Sequence, residues 1–216
     1  MVIFFFYFLL AFLLPFLWII YFYKKDKHPE NYWWLFLAFI LGIIAGSLSY
    51  FFEKLIYPYI FQNFIIKSFL FALIEEFFKF FLIFLIIFSQ KKIFDEYIDA
   101  MIYMSFSALG FAFLENLILV MKLDHIEILP ILFLRFISAN LLHILVSSLI
   151  GFGYAISLKF KKYLLFPIIF IIASFLHFIY NYFIIKITFG FIFILIILFL
   201  LFMVVIKEFD YLNQNE

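Results

Sequence analysis

The chain has 216 residues, 69% of them apolar and 40 of them phenylalanine, and a formal net charge of +1. A soluble domain of this length cannot hide so much apolar surface, whereas the hydrocarbon core of a bilayer solvates it. The absence of cysteine excludes disulfides, thiolate metal sites and cysteine nucleophiles, and the net charge shows no basic excess that would point to nucleic acid.

A membrane-crossing helix needs about 20 mostly apolar residues. The first such run covers about 3–23; it lacks a basic leading region and a small-residue cleavage site, so it reads as a retained span rather than a secretory signal. Further runs cover about 33–52, 67–89, 98–121, 131–158, 163–185 and 188–206. The expected fold is therefore all-α: a polytopic transmembrane helical bundle of about seven spans, forming one integral-membrane domain over 1–216. Residues 53–66 are apolar but short. Pro58 interrupts them between Tyr57 and Tyr59, which predicts an interfacial segment.

Lysines set the expected orientation. Lys24, Lys25, Lys27, Lys91, Lys92, Lys159, Lys161, Lys162 and Lys207 fall in one set of loops, and only Lys54, Lys67, Lys122 and Lys186 in the other. The richer side is expected to be cytoplasmic, with the N-terminus outside, the C-terminus inside and the chain in the cytoplasmic (plasma) membrane.

Ionisable groups inside spans are costly and mark function. The third span contains Glu75, Glu76 and Lys79; the fourth, Glu115 and Asn116; the fifth, Arg135, Asn140 and His143; the sixth, His177 and Asn181. Ala108, Ala112 and Glu115 share a helix face, as do Ala139, His143, Ser147 and Gly151, and Ala173, His177 and Asn181. The small residues let helices approach. Spans three to six are thus expected to enclose a conical or bundled polar interior, with carboxylates and imidazoles at one depth in the outer half of the membrane. Such a cluster suits water activation. Adjacent acids in hydrocarbon resist ionising together, Lys79 favours ionisation of one, and the product is a general base. Imidazole and carboxamide donors can stabilise an oxyanion. Glu75, Glu115, His143 and His177 are equally a ligand set for a divalent metal such as Zn. The catalytic candidates are Glu75, Glu76, Glu115, His143, His177 and Asn181, supported by Lys79 and Asn116.

The bland readings are a charge partner for Lys79, a snorkelling side chain for Arg135, caps and solvated loop charges for Asp95, Glu96 and Asp99, and unremarkable loop residues for His28 and His125. There is no HExxH helix and no GxSxG elbow; the nearest approach to an aspartyl pair is Asp95 with Asp99 in one segment.

In their order, these residues resemble the PrsW family of intramembrane proteases, a branch of the CAAX-prenyl protease superfamily. Its EExxK motif is matched by Glu75-Glu76-Phe77-Phe78-Lys79. An acidic loop and a GFAxxEN-like helix are matched by Asp95, Glu96 and Asp99 and by Gly110 through Asn116. A His followed by Gly eight residues on is matched by His143 and Gly151, and HxxxN by His177 and Asn181. The resemblance covers about 69–182, the expected catalytic core. It implies hydrolysis of a peptide bond in a membrane-anchored protein, such as an anti-sigma factor. It also implies that a Glu of the first motif activates water while His and Asn hold the oxyanion. The alternative function is a non-catalytic membrane scaffold, or a proton-coupled carrier using the same Glu/His cluster. Against the carrier stand the absence of an internal repeat and of mid-span Gly or Pro breaks.

Overall fold

The computed structural model describes residues 26–215 except 61, 91 and 187–189, together with residues 7, 9, 10, 13, 16, 17, 20, 23 and 24. The expected first span, 3–23, therefore lies largely outside the described residues. Every element among the described residues is helical. They are α1 (Tyr32–Ile60), α2 (Phe64–Ile83), which runs into a π-helical turn (Phe84–Phe88), α3 (Asp99–Lys122), α4 (His125–Ile137), α5 (Ala139–Lys159), α6 (Leu165–Lys186) and α7 (Gly190–Gln214). Five stretches are long and apolar enough to cross a membrane: Tyr32–Ile60, Asp99–Lys122, Ile126–Lys159, Leu165–Lys186 and Gly190–Gln214. Helix α2 has the length of a span, but three charged residues, Glu75, Glu76 and Lys79, crowd its middle and make it more polar than these five.

Two expectations are corrected. The stretch 53–66 is not a separate interfacial segment, because α1 continues through Pro58 to Ile60. A proline removes one N–H and crowds the carbonyl four residues earlier, here that of Lys54. Two residues from a helix end, this disturbs only the last turn. Asn63 then starts α2, its side chain accepting the Ile66 N–H at 3.0 Å. The continuation matters because it puts Glu53 on a spanning helix.

The second correction falls on 131–158, which is broken rather than one helix. Ser138 leaves the helical region with φ −128° and ψ −83°, separating α4 from α5. Its hydroxyl donates to the Leu134 carbonyl at 2.7 Å and accepts from the Tyr180 hydroxyl at 3.0 Å. The break is thus held by a side chain of α6. It places Arg135 at the end of the short helix α4 and His143 in the second turn of α5.

Helix α3 is the most buried, packed between α1 and α5. Glycines set both contacts. A Cβ on Gly42 would lie 1.9 Å from the Ser107 carbonyl oxygen, and one on Gly110 would lie 1.9 Å from that of Phe39. The two glycines therefore let the α1 and α3 backbones touch. On the other side, a Cβ on Gly151 would meet the Ala100 oxygen at 2.3 Å. Ser105 and Ser148 join the same two helices by a hydroxyl–hydroxyl hydrogen bond of 2.5 Å. By contrast, α6 and α7 bury one stripe each and turn apolar side chains such as Ile172, Phe175, Phe199 and Leu200 outward.

Candidate active site

The polar residues of α2, α3, α5 and α6 meet inside this bundle. Glu76 is fully buried at their centre. One of its oxygens accepts from Lys79 Nζ at 2.6 Å and lies 2.9 Å from His177 Nδ1; the other accepts from Ser147 Oγ at 2.9 Å. Lys79 Nζ also lies 3.1 Å from His143 Nδ1 and 4.4 Å above the Phe111 ring. The far nitrogen of that imidazole, His143 Nε2, is 2.9 Å from Glu115 Oε2.

These contacts assign the imidazole protons. An ammonium group only donates, so His143 Nδ1 accepts from Lys79 and Nε2–H donates to Glu115. A carboxylate only accepts, so His177 Nδ1–H donates to Glu76 and the Nε2 lone pair points elsewhere. It points at Glu75: His177 Nε2 and Glu75 Oε2 are 3.4 Å apart. That oxygen is buried and has no hydrogen-bond partner. With Glu75 ionised and His177 neutral, two acceptors face one another there, and a proton or a cation between them would join them.

The adjacent acids therefore differ. Glu76 is locked from three sides and lies away from the opening. Glu75 borders a cavity of about 220 Å³, which Glu53, Glu115, Arg135, Ser49 and Phe111 also line. Lys122 and Tyr50 line it as well, so it lies toward the end of the bundle where α1 and α3 terminate. Along the helices, at ~1.5 Å per residue, Glu53 is about 10 Å from the end of α1 and Glu115 about 10 Å from the end of α3.

Of the residues expected at the site, Glu75, Glu76, Lys79, Glu115, His143 and His177 are brought into one connected cluster. Asn116 joins through the Arg135 Nε–H, which donates to its Oδ1 at 2.6 Å, and through its own amide, which donates to Asn140 Oδ1 at 3.3 Å. Asn181 lies one turn beyond His177, half-buried, and takes no part in these hydrogen bonds. Arg135 is not a snorkelling side chain. The break at Ser138 turns it inward, where its Nη2 donates to Glu115 Oε2 at 2.7 Å. Glu53, Arg135 and Ser147 are the site residues that sequence reasoning missed. For Ser147 the signal existed, since it shares a helix face with His143.

A metal fits part of this set. One atom each from Glu75, His143 and His177 lies within 4.8 Å of the others. The 3.4 Å between His177 Nε2 and Glu75 Oε2 is about the separation of two ligands on a tetrahedral zinc with ~2.0–2.1 Å bonds. The unpartnered Glu75 oxygen is the atom such an ion would satisfy. His143 would join as the other neutral tautomer, its proton moved from Nε2 to Nδ1, which requires Lys79 Nζ to turn away from Nδ1. Glu115, the fourth expected ligand, lies outside this group and is held by Arg135 and His143 instead.

Comparison with known proteins gives the family. The model of the PrsW family intramembrane metalloproteases matches residues 30–206. Protease PrsW of Oceanobacillus iheyensis is 36% identical over 100 residues, which cover 45% of this chain and 46% of the relative. The matched region thus spans about half the length of that relative. No solved structure matches the chain. The family match runs from the residues before α1 into α7 and encloses every member of the Glu/His cluster, and the chain belongs to the PrsW family of intramembrane metalloproteases.

Proposed function

We propose that the chain is a membrane-embedded peptidase that hydrolyses a peptide bond of membrane-anchored proteins, with Glu75 as the carboxylate that activates water. The observation that carries this reading is the inequality of the paired acids: Glu76 is saturated by Lys79, Ser147 and His177, while Glu75 keeps an unpartnered oxygen and borders a cavity. A scaffold gains nothing from an unsatisfied buried carboxyl, which costs free energy. A water in the cavity gives a proton to Glu75 as its oxygen bonds to the scissile carbonyl carbon. The proton then passes to the leaving nitrogen as the C–N bond breaks. Arg135, aimed by Glu115 and Asn116, lines the cavity as a donor for the oxyanion, and Asn181, one turn beyond His177, is the second donor that the family resemblance implies. Glu76 is a positioning residue: it fixes the His177 tautomer and, through Lys79, that of His143.

In the metal-dependent form of this reading, Glu75, His143 and His177 would instead hold a divalent ion such as Zn²⁺, which would supply Lewis acidity toward a bound water or carbonyl, with Glu75 a ligand rather than the free base. Chelation of purified protein is expected to abolish cleavage of a single-span membrane substrate, and added Zn²⁺ to restore it. Full activity with far less than one metal per chain by elemental analysis would remove the ion from the mechanism. The substrate class itself is tested by offering reconstituted protein a panel of membrane-anchored proteins, anti-sigma factors among them, and sequencing the products against a Glu75→Gln control.

A seven-span arrangement, with the N-terminal segment and α2 counted as crossing, follows from the same reading, and the lysine distribution orients it with the loops 24–32, 90–97 and 159–162 inside. The cavity then opens toward the outer half of the membrane, and cleavage falls near the outer face, where a helix end unwinds at least cost. The chain has no native cysteine, so single cysteines report cleanly. In the cytoplasmic (plasma) membrane of intact cells, Gln62→Cys is expected to react with an impermeant thiol reagent and Phe160→Cys only after lysis. The reverse pattern overturns both the orientation and the side of cleavage.

A further inference from the structure

A second group of carboxylates gathers at the opposite end of α3. Glu30 lies just before α1, Asp95 in the connection between the π-helical turn and α3, and Asp99 opens α3. At ~1.5 Å per residue, Asp99 is about 24 Å along the helix from Glu115, so this group is separate from the cavity that holds Glu75. One oxygen from each of Glu30, Asp95 and Asp99 lies within 4.8 Å of the other two. Two oxygens on opposite sides of a Ca²⁺ with ~2.4 Å bonds are about 4.8 Å apart, and neighbouring ligands are closer. The spacing therefore suits three ligands of one ion.

Asp99 supplies the independent observation. It is fully buried, with none of its surface exposed, contrary to its reading as a solvated loop charge. Its Oδ2 accepts the backbone N–H groups of Asp95 at 3.1 Å and Glu96 at 2.8 Å, which folds the loop around it. Its Oδ1 is buried and has no hydrogen-bond partner. The Asp99 and Glu30 carboxyls lie within hydrogen-bonding reach of each other, and neither carries a donor when ionised. Something positive must sit between them: a cation, or a shared proton. The surroundings are arranged to leave that place open. Tyr103 donates its hydroxyl to Glu30 Oε2 and so aims the carboxylate. His28 is engaged with Glu96 at 2.6 Å rather than with the three acids. Lys92 lines the adjoining hollow of about 450 Å³ and makes no ion pair with them among the described residues. The hollow also gives water access to the exposed Asp95 for the remaining coordination positions.

We infer that Glu30, Asp95 and Asp99 form an oxygen-donor site for a hard divalent cation, Ca²⁺ or Mg²⁺, that ties the segment before α1 to the start of α3. An all-oxygen set selects these ions over zinc, which the imidazoles of the other cluster favour. Because α3 carries Glu115 and Asn116 at its far end and packs against both α1 and α5, an ion here stiffens the helix on which that cluster is mounted.

The test uses the full chain, purified in detergent and stripped of metal, with Tb³⁺ as the probe. Tyr103 and Trp34 stand beside the site and sensitise its luminescence. Saturable emission displaced by millimolar Ca²⁺ or Mg²⁺ is expected. Asp99→Asn, Glu30→Gln and Asp95→Asn are each expected to weaken binding by about tenfold or more, while Glu75→Gln leaves it unchanged. Asp95 is exposed, so its variant folds even if Asp99→Asn does not, and Ca²⁺ should raise the melting temperature of wild type but not of Asp95→Asn. Emission that Ca²⁺ fails to displace, binding untouched by all three substitutions, or binding lost in Glu75→Gln overturns the site. So does an Asp99→Asn variant that is more stable than wild type at every Ca²⁺ concentration, because the acids would then share a proton.

Discussion

Glu75→Gln is expected to reduce cleavage of a membrane-anchored substrate by roughly 10²–10⁴-fold while leaving the protein folded. The substitution keeps the volume of the side chain and removes its charge, and with it the capacity to take a proton or to ligate an ion. Nothing in the bundle depends on that capacity, since the one buried Glu75 oxygen lacks a hydrogen-bond partner. The loss should appear in kcat rather than KM, because Glu75 borders the cavity without closing it. The companion Glu76→Gln separates the two acids by stability: it should lower the melting temperature, which Glu75→Gln should not. A well-folded Glu75→Gln protein with wild-type turnover would falsify the assignment of Glu75 as base and return the cluster to a structural role.

How much of this was legible beforehand depended on whether the signal was local. Glu75, Glu76, Lys79, Glu115, His143 and His177 announced themselves because charge in an apolar run is conspicuous and because Glu115, His143 and His177 each sit on a face marked by small residues. The i, i+3 spacing of Glu76 and Lys79 anticipated the 2.6 Å contact between them. What could not be read was which of two adjacent acids faced the cavity. On a helix they point about 100° apart, and only the packing of α5 and α6, which presents Ser147 and His177 to Glu76, decides the matter.

The misses arise where position within a helix or a tertiary contact decides what a local rule does not. Pro58 is a sound helix-breaking signal, yet two residues from the end of α1 it breaks nothing, and Glu53 thereby enters the cavity wall. Ser138 carries no such signal at all. Its departure from helical geometry is stabilised by the Tyr180 hydroxyl, some forty residues away in sequence. Arg135 near a span end suits a snorkelling side chain, and only that break redirects it to Glu115. Asp99 had the position of an ordinary cap, and its complete burial follows from how the loop wraps it.

The largest expected effect on stability is at Lys79. Its ammonium is fully buried and is shared by Glu76 at 2.6 Å and His143 at 3.1 Å, with the Phe111 ring beneath it. Lys79→Met preserves the length and apolar stem of the side chain but leaves Glu76 as a carboxylate in a low-dielectric interior with only Ser147 and His177 to offset it. Removing one member of a buried ion pair costs about 3–5 kcal/mol, a large share of the stability of a typical domain. His143 also loses the donor that fixes its tautomer, so Nδ1 can take the proton and the hydrogen bond to Glu115 is lost. If the cost arises from the stranded charge rather than from lost packing, then Glu76→Gln should relieve it. The double variant Glu76→Gln/Lys79→Met is therefore expected to be more stable than Lys79→Met alone, with a coupling of about 0.5–3 kcal/mol, although it remains without activity because His177 is no longer held by a carboxylate. Unfolding measured in detergent across the four proteins of this cycle decides the point: strictly additive losses would mean that Lys79 acts by filling space, and that the charge network around Glu76 does not hold the four helices together.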